Sequence, residues 1–226
     1  SSDLTSNITS WSGGWYVVDG GVTIDSRVTV TGDVKLILKD GANLTVNGGI
    51  DVSGTSNSFT VYAQSADESQ MGSLTATAAD KTGNAGIGSS GGQTAGAITV
   101  NGGRVTATGG SRSEQKESVF PGEYEEIFYT GAGIGGGEKS ACSTITINGG
   151  DVTASTKGGD FWSNGCNSAA IGNGGHNRMD IRYHEPPVGT IVINGGSVNA
   201  TGVCWGAGIG GGDAMPIGTV TIHGGT

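Results

Sequence analysis

A two-residue period runs through four short stretches of the chain: Ile98-Thr99-Val100, Ile145-Thr146-Ile147, Ile191-Val192-Ile193 and Val220-Thr221-Ile222. That is the period of a strand with one face buried. Ile98/Val100, Ile145/Ile147, Ile191/Ile193 and Val220/Ile222 are predicted to point inward. Thr99, Thr146, Val192 and Thr221 are predicted to point out. Each stretch runs into a glycine pair, as Asn-Gly-Gly at 101–103, 148–150 and 194–196 and as His-Gly-Gly at 223–225. The alternation then resumes with Val105/Ala107, Val152/Ala154 and Val198/Ala200. The full motif therefore covers 98–107, 145–154 and 191–200, and 44–52 (LTVNGGIDV) reads as a first, looser copy. A second motif, Ala-Gly-Ile-Gly, alternates with it at 85–88, 132–135 and 207–210, and as Ala-Ala-Ile-Gly at 169–172.

The spacing of the two motifs defines a unit. Ile87 to Asn101, Ile134 to Asn148 and Ile209 to His223 are each 14 residues, and Asn194 to Ile209 is 15. The minimal repeat is about 29 residues, with insertions at only two points. Strands this short cannot bury their own apolar face, so unit must stack on unit. A propeller blade needs about 40 or more residues, and a β-sandwich does not need near-identical glycine corners. The expected fold is all-β: a single-stranded parallel β-helix with coils of about 29 residues plus insertions. Residues 1–226 read as one domain. Residues 1–60 form atypical N-terminal coils (strand-like alternation over 15–46), and 83–226 hold the regular glycine-rich repeats. The last repeat stops midway, which suggests a piece of a longer protein.

Composition sharpens this picture. Glycine supplies 46 residues and proline four, without a Gly-X-Y period, so collagen is excluded. Aromatics at 6% and charged residues at 14% leave a thin core of small and β-branched side chains. The net charge of -9 argues against nucleic acid, whose binding relies on basic groups, and against anionic membrane surfaces. No run of 18 apolar residues occurs. Cys166 and Cys204 each lie five residues before an Ile-Gly pair, so adjacent coils would stack them roughly 4.8 Å apart. A disulfide fits that spacing, and so do two buried thiols. Cys142 has no counterpart in register.

Candidate chemistry lies in the insertions. Segments 62–83, 110–130, 157–167 and 201–206 are expected to leave successive coils at one corner. They concentrate the rare residues: Tyr62, Asp67 and Glu68, then Glu123 to Glu126 with Phe128 and Tyr129, then Asp160, Phe161 and Trp162, then Trp205. Aromatic faces beside carboxylates suit sugar rings and their hydroxyls. Tyr124, Tyr129, Asp160, Trp162 and Trp205 are the candidate ligand-binding residues. Glu123, Glu125, Glu126 and Asp160 are the candidate carboxylates should the corner be catalytic, because a glycosidase needs two facing acids. Packing of the loops onto the solenoid is the plainer alternative.

A second set of insertions, at the opposite corner, holds Glu138, residues 176–187 and Asp213. His176, Asp180, His184 and Glu185 match no zinc motif. Calcium is possible in so acidic a chain, though the Gly-Gly-x-Gly-x-Asp pattern is absent. No other cofactor is expected. The AGIGGG run at 132–137 lacks the Lys-Ser/Thr ending of a phosphate loop, and its repetition argues for architecture. Thr75/Thr77, Thr106/Thr108, Thr153/Ser155 and Asn199/Thr201 are expected to form an outward ladder. Such a ladder is compatible with ordering ice-like water and equally with the strand preference of threonine.

The GAGIGGG runs (131–137 and 206–212), followed by TITINGGDVTA or GTVTIHGG, resemble the glycine-rich repeat β-helix domains of secreted or cell-wall-attached proteins of Gram-positive gut bacteria. The likeness covers roughly 83–226, and residues 15–41 look like the opening coils of such repeats. The resemblance implies an extracellular or cell-surface setting and neighbouring glycan-binding or glycan-degrading modules. It transfers no catalytic residue. The favoured expectation is an extracellular carbohydrate-binding or adhesive domain whose partner is a glycan or polysaccharide. A β-helix glycoside hydrolase and a passive spacer are the alternatives.

Overall fold

A computed structural model describes residues 2–117, 122–158, 167–175 and 188–226, with Glu125 and Val188 described by their backbone alone. The chain winds into a parallel β-helix whose coils each have three faces. On the first face the start of Val28–Leu38, then Ile50–Asp51, Ile87–Gly88, Ile134–Gly135, Ile171–Gly172 and Ile209–Gly210 pair in that order. On the second face the end of Val28–Leu38 is followed by Ser58–Ala63, Ala97–Val100, Thr144–Ile147, Val188–Ile193 and Ile217–Ile222. The third face stacks Gly21–Ile24, Asn43–Val46, Ser73–Thr77, Arg104–Thr108, Asp151–Ser155 and Ser197–Thr201. The long strand Val28–Leu38 runs through the first two faces and joins them into one sheet.

The register places like over like. Val28, Ile50, Ile87, Ile134, Ile171 and Ile209 form one inward column. Val34, Phe59, Ile98, Ile145, Ile191 and Val220 form a second. Leu44, Leu74, Val105, Val152 and Val198 form a third. These columns meet in one continuous core. Each large apolar side chain moved from water into it contributes about 1.5–3 kcal/mol, which a lone coil could not supply. At the N-terminal side Trp11 is fully buried, stacked on Tyr16 at 5.7 Å and near Phe59 at 5.9 Å.

The Ala-Gly-Ile-Gly motif is a strand in its own right, and its last glycine is obligatory. Gly88, Gly135 and Gly172 have φ between +132° and +145°. A Cβ at each would lie 1.8–2.0 Å from the carbonyl oxygen of the equivalent glycine one coil on. The motif repeats because the coils touch backbone to backbone here.

Two expectations about register are corrected. The segment 44–52 is not a copy of the Asn-Gly-Gly corner, because Asn43–Val46 pairs on the third face rather than the second. Its Gly48-Gly49 turn leads to the first face instead, where the Arg27 guanidinium spans Gly48 O and Ala85 O, both at 3.0 Å. The segment 62–83 is likewise not one insertion. Ser73–Thr77 within it is a third-face strand. The loop at 64–72 therefore leaves the corner between the second and third faces, whereas 110–130 leaves the corner between the third and first. Both misreadings have one cause: a short apolar-x-apolar run looks the same on any face, and only its pairing partner tells which face it occupies.

Candidate functional site

The insertion at 110–130 is an antiparallel hairpin, Ser111–Glu117 with Tyr124–Thr130, set against the solenoid. Arg112 holds it down. Its Nε and Nη2 donate to the two carboxylate oxygens of Glu138, each at 2.6 Å, and its Nη1 donates to Glu114 at 3.1 Å. Glu138 is itself seated among glycines, since a Cβ at Gly83 would fall 2.0 Å from its Oε2 and one at Gly91 2.7 Å from its Cγ. The Tyr129 hydroxyl donates to Glu114 at 2.7 Å. The Tyr129 ring lies 4.3 Å from the Arg112 guanidinium and 4.5 Å from the Lys139 ammonium. These contacts hold the Glu114 carboxyl down to about 2, first through the Tyr129 hydroxyl and then through Arg112 and Lys116. The same Glu138 fork raises Arg112 above its ordinary value. This is a clasp, with its charges matched.

The sequence candidates fall unevenly around it. Tyr129 is fully buried in the clasp and offers no open ring face. Tyr124 is 66% exposed at the far end of the hairpin, and Trp205 is 51% exposed on the loop after Ser197–Thr201. Glu123 and Glu126 face solvent. Glu125 lies opposite Lys116 in the hairpin register. Asp160, Trp162 and Cys166 lie outside the described residues, as do His176, Asp180, His184 and Glu185. Cys204 is exposed with φ +49°, and its proposed disulfide partner is Cys166. Among the described residues no group of three or more His, Cys, Asp and Glu side chains comes together to hold a metal ion.

A concavity lies elsewhere on the described surface. A groove of about 570 Å³ runs along the corner between the second and third faces. One wall is the loop at 64–72, through Gln64, Ser65 and Glu68. Several bonds fix that loop. Ser65 Oγ donates to Asp40 at 2.8 Å, Arg104 Nη2 donates to the Glu68 carbonyl at 3.1 Å, and Ser69 N and Oγ donate to Asp67 Oδ1 at 2.9 and 2.7 Å. The floor is the series of glycine corners at 102–103 and 149–150, continued by Gly196. Along it stands a column of side-chain amides. Asn148 Nδ2 donates to Asn101 Oδ1, and Asn194 Nδ2 to Asn148 Oδ1, both at 2.7 Å. Tyr62, next to the lining residue Ala63, packs against Trp15 with ring centroids 5.4 Å apart and the planes tilted by 37°, and Lys35 sits 5.6 Å over the Trp15 ring.

In the sequence the asparagines stand as part of the corner motif. The signal was there: a glycine pair suffices to turn the chain, so an amide before each pair needs its own reason. Trp15 and Tyr62 gave no such signal, because they come together only when Val28–Leu38 pairs with both Ser10–Val18 and Ser58–Ala63.

Comparison with known proteins agrees with this coil plan. Residues 98–138, 145–175 and 191–213 match the model of a family described as a β-helix repeat. All three matches begin at the same register position of a second-face strand, at Ile98, Ile145 and Ile191, and run past the next Ile-Gly strand. No curated protein and no solved structure matches the chain. Three successive coils thus resemble β-helix repeats in sequence, and the fold is that of a single-stranded parallel β-helix.

Proposed function

We propose that this β-helix is a non-catalytic carbohydrate-binding or adhesive domain that works outside the cell or at its surface. The observation that carries the reading is the groove at the Asn-Gly-Gly corner: open, polar, and followed by an amide column on three successive coils, Asn101, Asn148 and Asn194, of which Asn101 and Asn148 line it. Primary amides match sugar hydroxyls because each offers two donors and two acceptor sites. Asn148 spends one donor and one acceptor on its neighbours in the column. One N–H and one acceptor site remain for a ligand. The exposed rings of Tyr124 and Trp205 supply further stacking surfaces at the next corner. The partner is a glycan or polysaccharide, presented to the domain by, or beside, neighbouring domains of a larger chain.

The test is a glycan array with the purified domain, run with and without calcium, and mass spectrometry of the same glycans after incubation. Retained glycans of unchanged mass are the expected result. Shortened glycans would replace binding with hydrolysis and direct mutation to Glu123, Glu125, Glu126 and Asp160. Retention that needs calcium would add a metal to the site.

A further inference from the structure

We infer that the amide column selects a neutral, extended, β-linked polysaccharide strand lying parallel to the solenoid axis, one sugar to a coil. The inference rests on the carbohydrate-binding reading and specifies its ligand. Three features of the groove converge on it. The first is direction. The lining residues come from successive coils, through Ala63, Asn101, Asn148, Gly196 and Thr226, so the groove follows the axis. The second is period. Equivalent atoms in neighbouring coils repeat at the interstrand distance of about 4.8 Å, and an extended β-linked hexose chain rises by a similar step per sugar. The rings over Asn101, Asn148 and Asn194 then meet one amide each, with alternate rings turned over by the β-linkage so that every second ring presents the same edge. A coiled or strongly branched glycan would leave this register after one or two sugars. The third is charge. Glu68 is the one ionisable side chain among the lining residues, in a chain whose net charge is -9. A polyanion finds no cation in the groove and is repelled by the whole molecule.

The floor adds to the selection. The second glycine of each pair is required by the stack, since a Cβ at Gly150 would lie 2.5 Å from Gly103 O and one at Gly196 2.6 Å from Gly150 O. The first glycine is under less pressure, with a Cβ at Gly149 falling 3.3 Å from Asn101 O. A small side chain could sit at 149 at modest cost, and its absence leaves the amides reachable from the side. At the Tyr62 end, the paired rings of Trp15 and Tyr62 give a terminal sugar an apolar face to lie on.

The experiment is calorimetric titration of the full chain with neutral β-1,4-linked glucan, xylan, mannan and chitin oligomers of two to six sugars, beside oligogalacturonate of the same lengths. For at least one neutral series the affinity should rise with each sugar to about four, the number of coil steps along the groove, and then level off. Asn148→Ala should weaken the tetramer by about tenfold, the worth of one or two lost hydrogen bonds. Ser197→Trp, which leaves the amide column intact and fills the groove, should abolish binding. Asn199→Ala, on the third face, should change nothing. Equal affinity for dimer and hexamer, stronger binding of the oligogalacturonate, or an unaffected Ser197→Trp variant that still binds glycan would each sink the axial neutral strand. Those outcomes leave the carbohydrate-binding reading standing. Absence of binding across every oligomer and across the glycan array overturns both.

Discussion

Glu138 shows how a single residue converts a repeat into an attachment point. Its carboxylate occupies space that a Cβ at Gly83 or Gly91 would claim, and Arg112 then has one place to bind. Downstream of that fork, Glu114 gives the clasp a pH dependence whose direction is fixed. Its carboxyl is held down to about 2 against an ordinary value of 4.5, so the folded state binds its proton less readily than the unfolded chain does. The stabilisation is complete above about 4.5 and drains away as the pH falls toward 2. Glu114→Gln should therefore lower the unfolding free energy from urea titration at pH 7, by about 1 kcal/mol or less for so accessible a site. The gap between variant and parent should close by pH 2. A gap that persists there would mean that Glu114 acts through packing rather than charge. Cys142 makes the opposite case. Burial pushes its thiol up to about 12. It should resist alkylation at pH 8 in the folded protein and react only on unfolding, which a mass-resolved alkylation time course would check.

At the scale of the element, the two-residue strand Ile134–Gly135 places its isoleucine in the core and its glycine against the next coil. Gly135→Ala would bring a Cβ to 2.0 Å from Gly172 O, with backbone on both sides unable to yield. Gly210 has the same backbone, at φ +139°, but its Cβ would meet nothing nearer than 3.5 Å. Gly210→Ala should cost the conformational strain alone, about 1–3 kcal/mol. Gly135→Ala should add the steric term and fail to give a cooperative unfolding transition by circular dichroism. Equal effects at the two positions would show that the close contact is not what requires glycine. The alternation at 98–107 and 145–154 was legible in the sequence because strand pattern, corner and spacing all repeat together. The third face near the N-terminus was not. Asn43–Val46 carries the same local pattern as Ala97–Val100, and nothing short of pairing separates them. The hairpin clasp was hidden for another reason: Arg112 and Glu138 are 26 residues apart and meet only after the hairpin has folded back. The groove was half legible, its amides visible as a motif and its wall at 64–72 assigned to the wrong corner.

The whole molecule behaves as a stack in which each coil is half of its neighbour's core, so the value of a side chain depends on its coil more than on its identity. One column shows this directly. Ile147, Ile193 and Ile222 are in register on the second face, yet Ile147 is fully buried and Ile222 is 63% exposed. Val100 below them is as buried as Ile147. Chemistry and backbone conformation are shared along the column, and only the number of neighbouring coils differs. Stability in such an array is a sum of nearest-neighbour terms. Ile147→Ala should therefore cost about 2–5 kcal/mol, the range for a buried isoleucine. Ile222→Ala should fall within about 0.5 kcal/mol, as for an exposed site. Amide exchange should follow the same gradient: slowest in Ala97–Val100 and Thr144–Ile147, faster in Val188–Ile193 and fastest in Ile217–Ile222. Uniform exchange across the four coils would mean that the solenoid unfolds as one cooperative block. The amide column of the groove would then open with the core rather than from the Asn194 end.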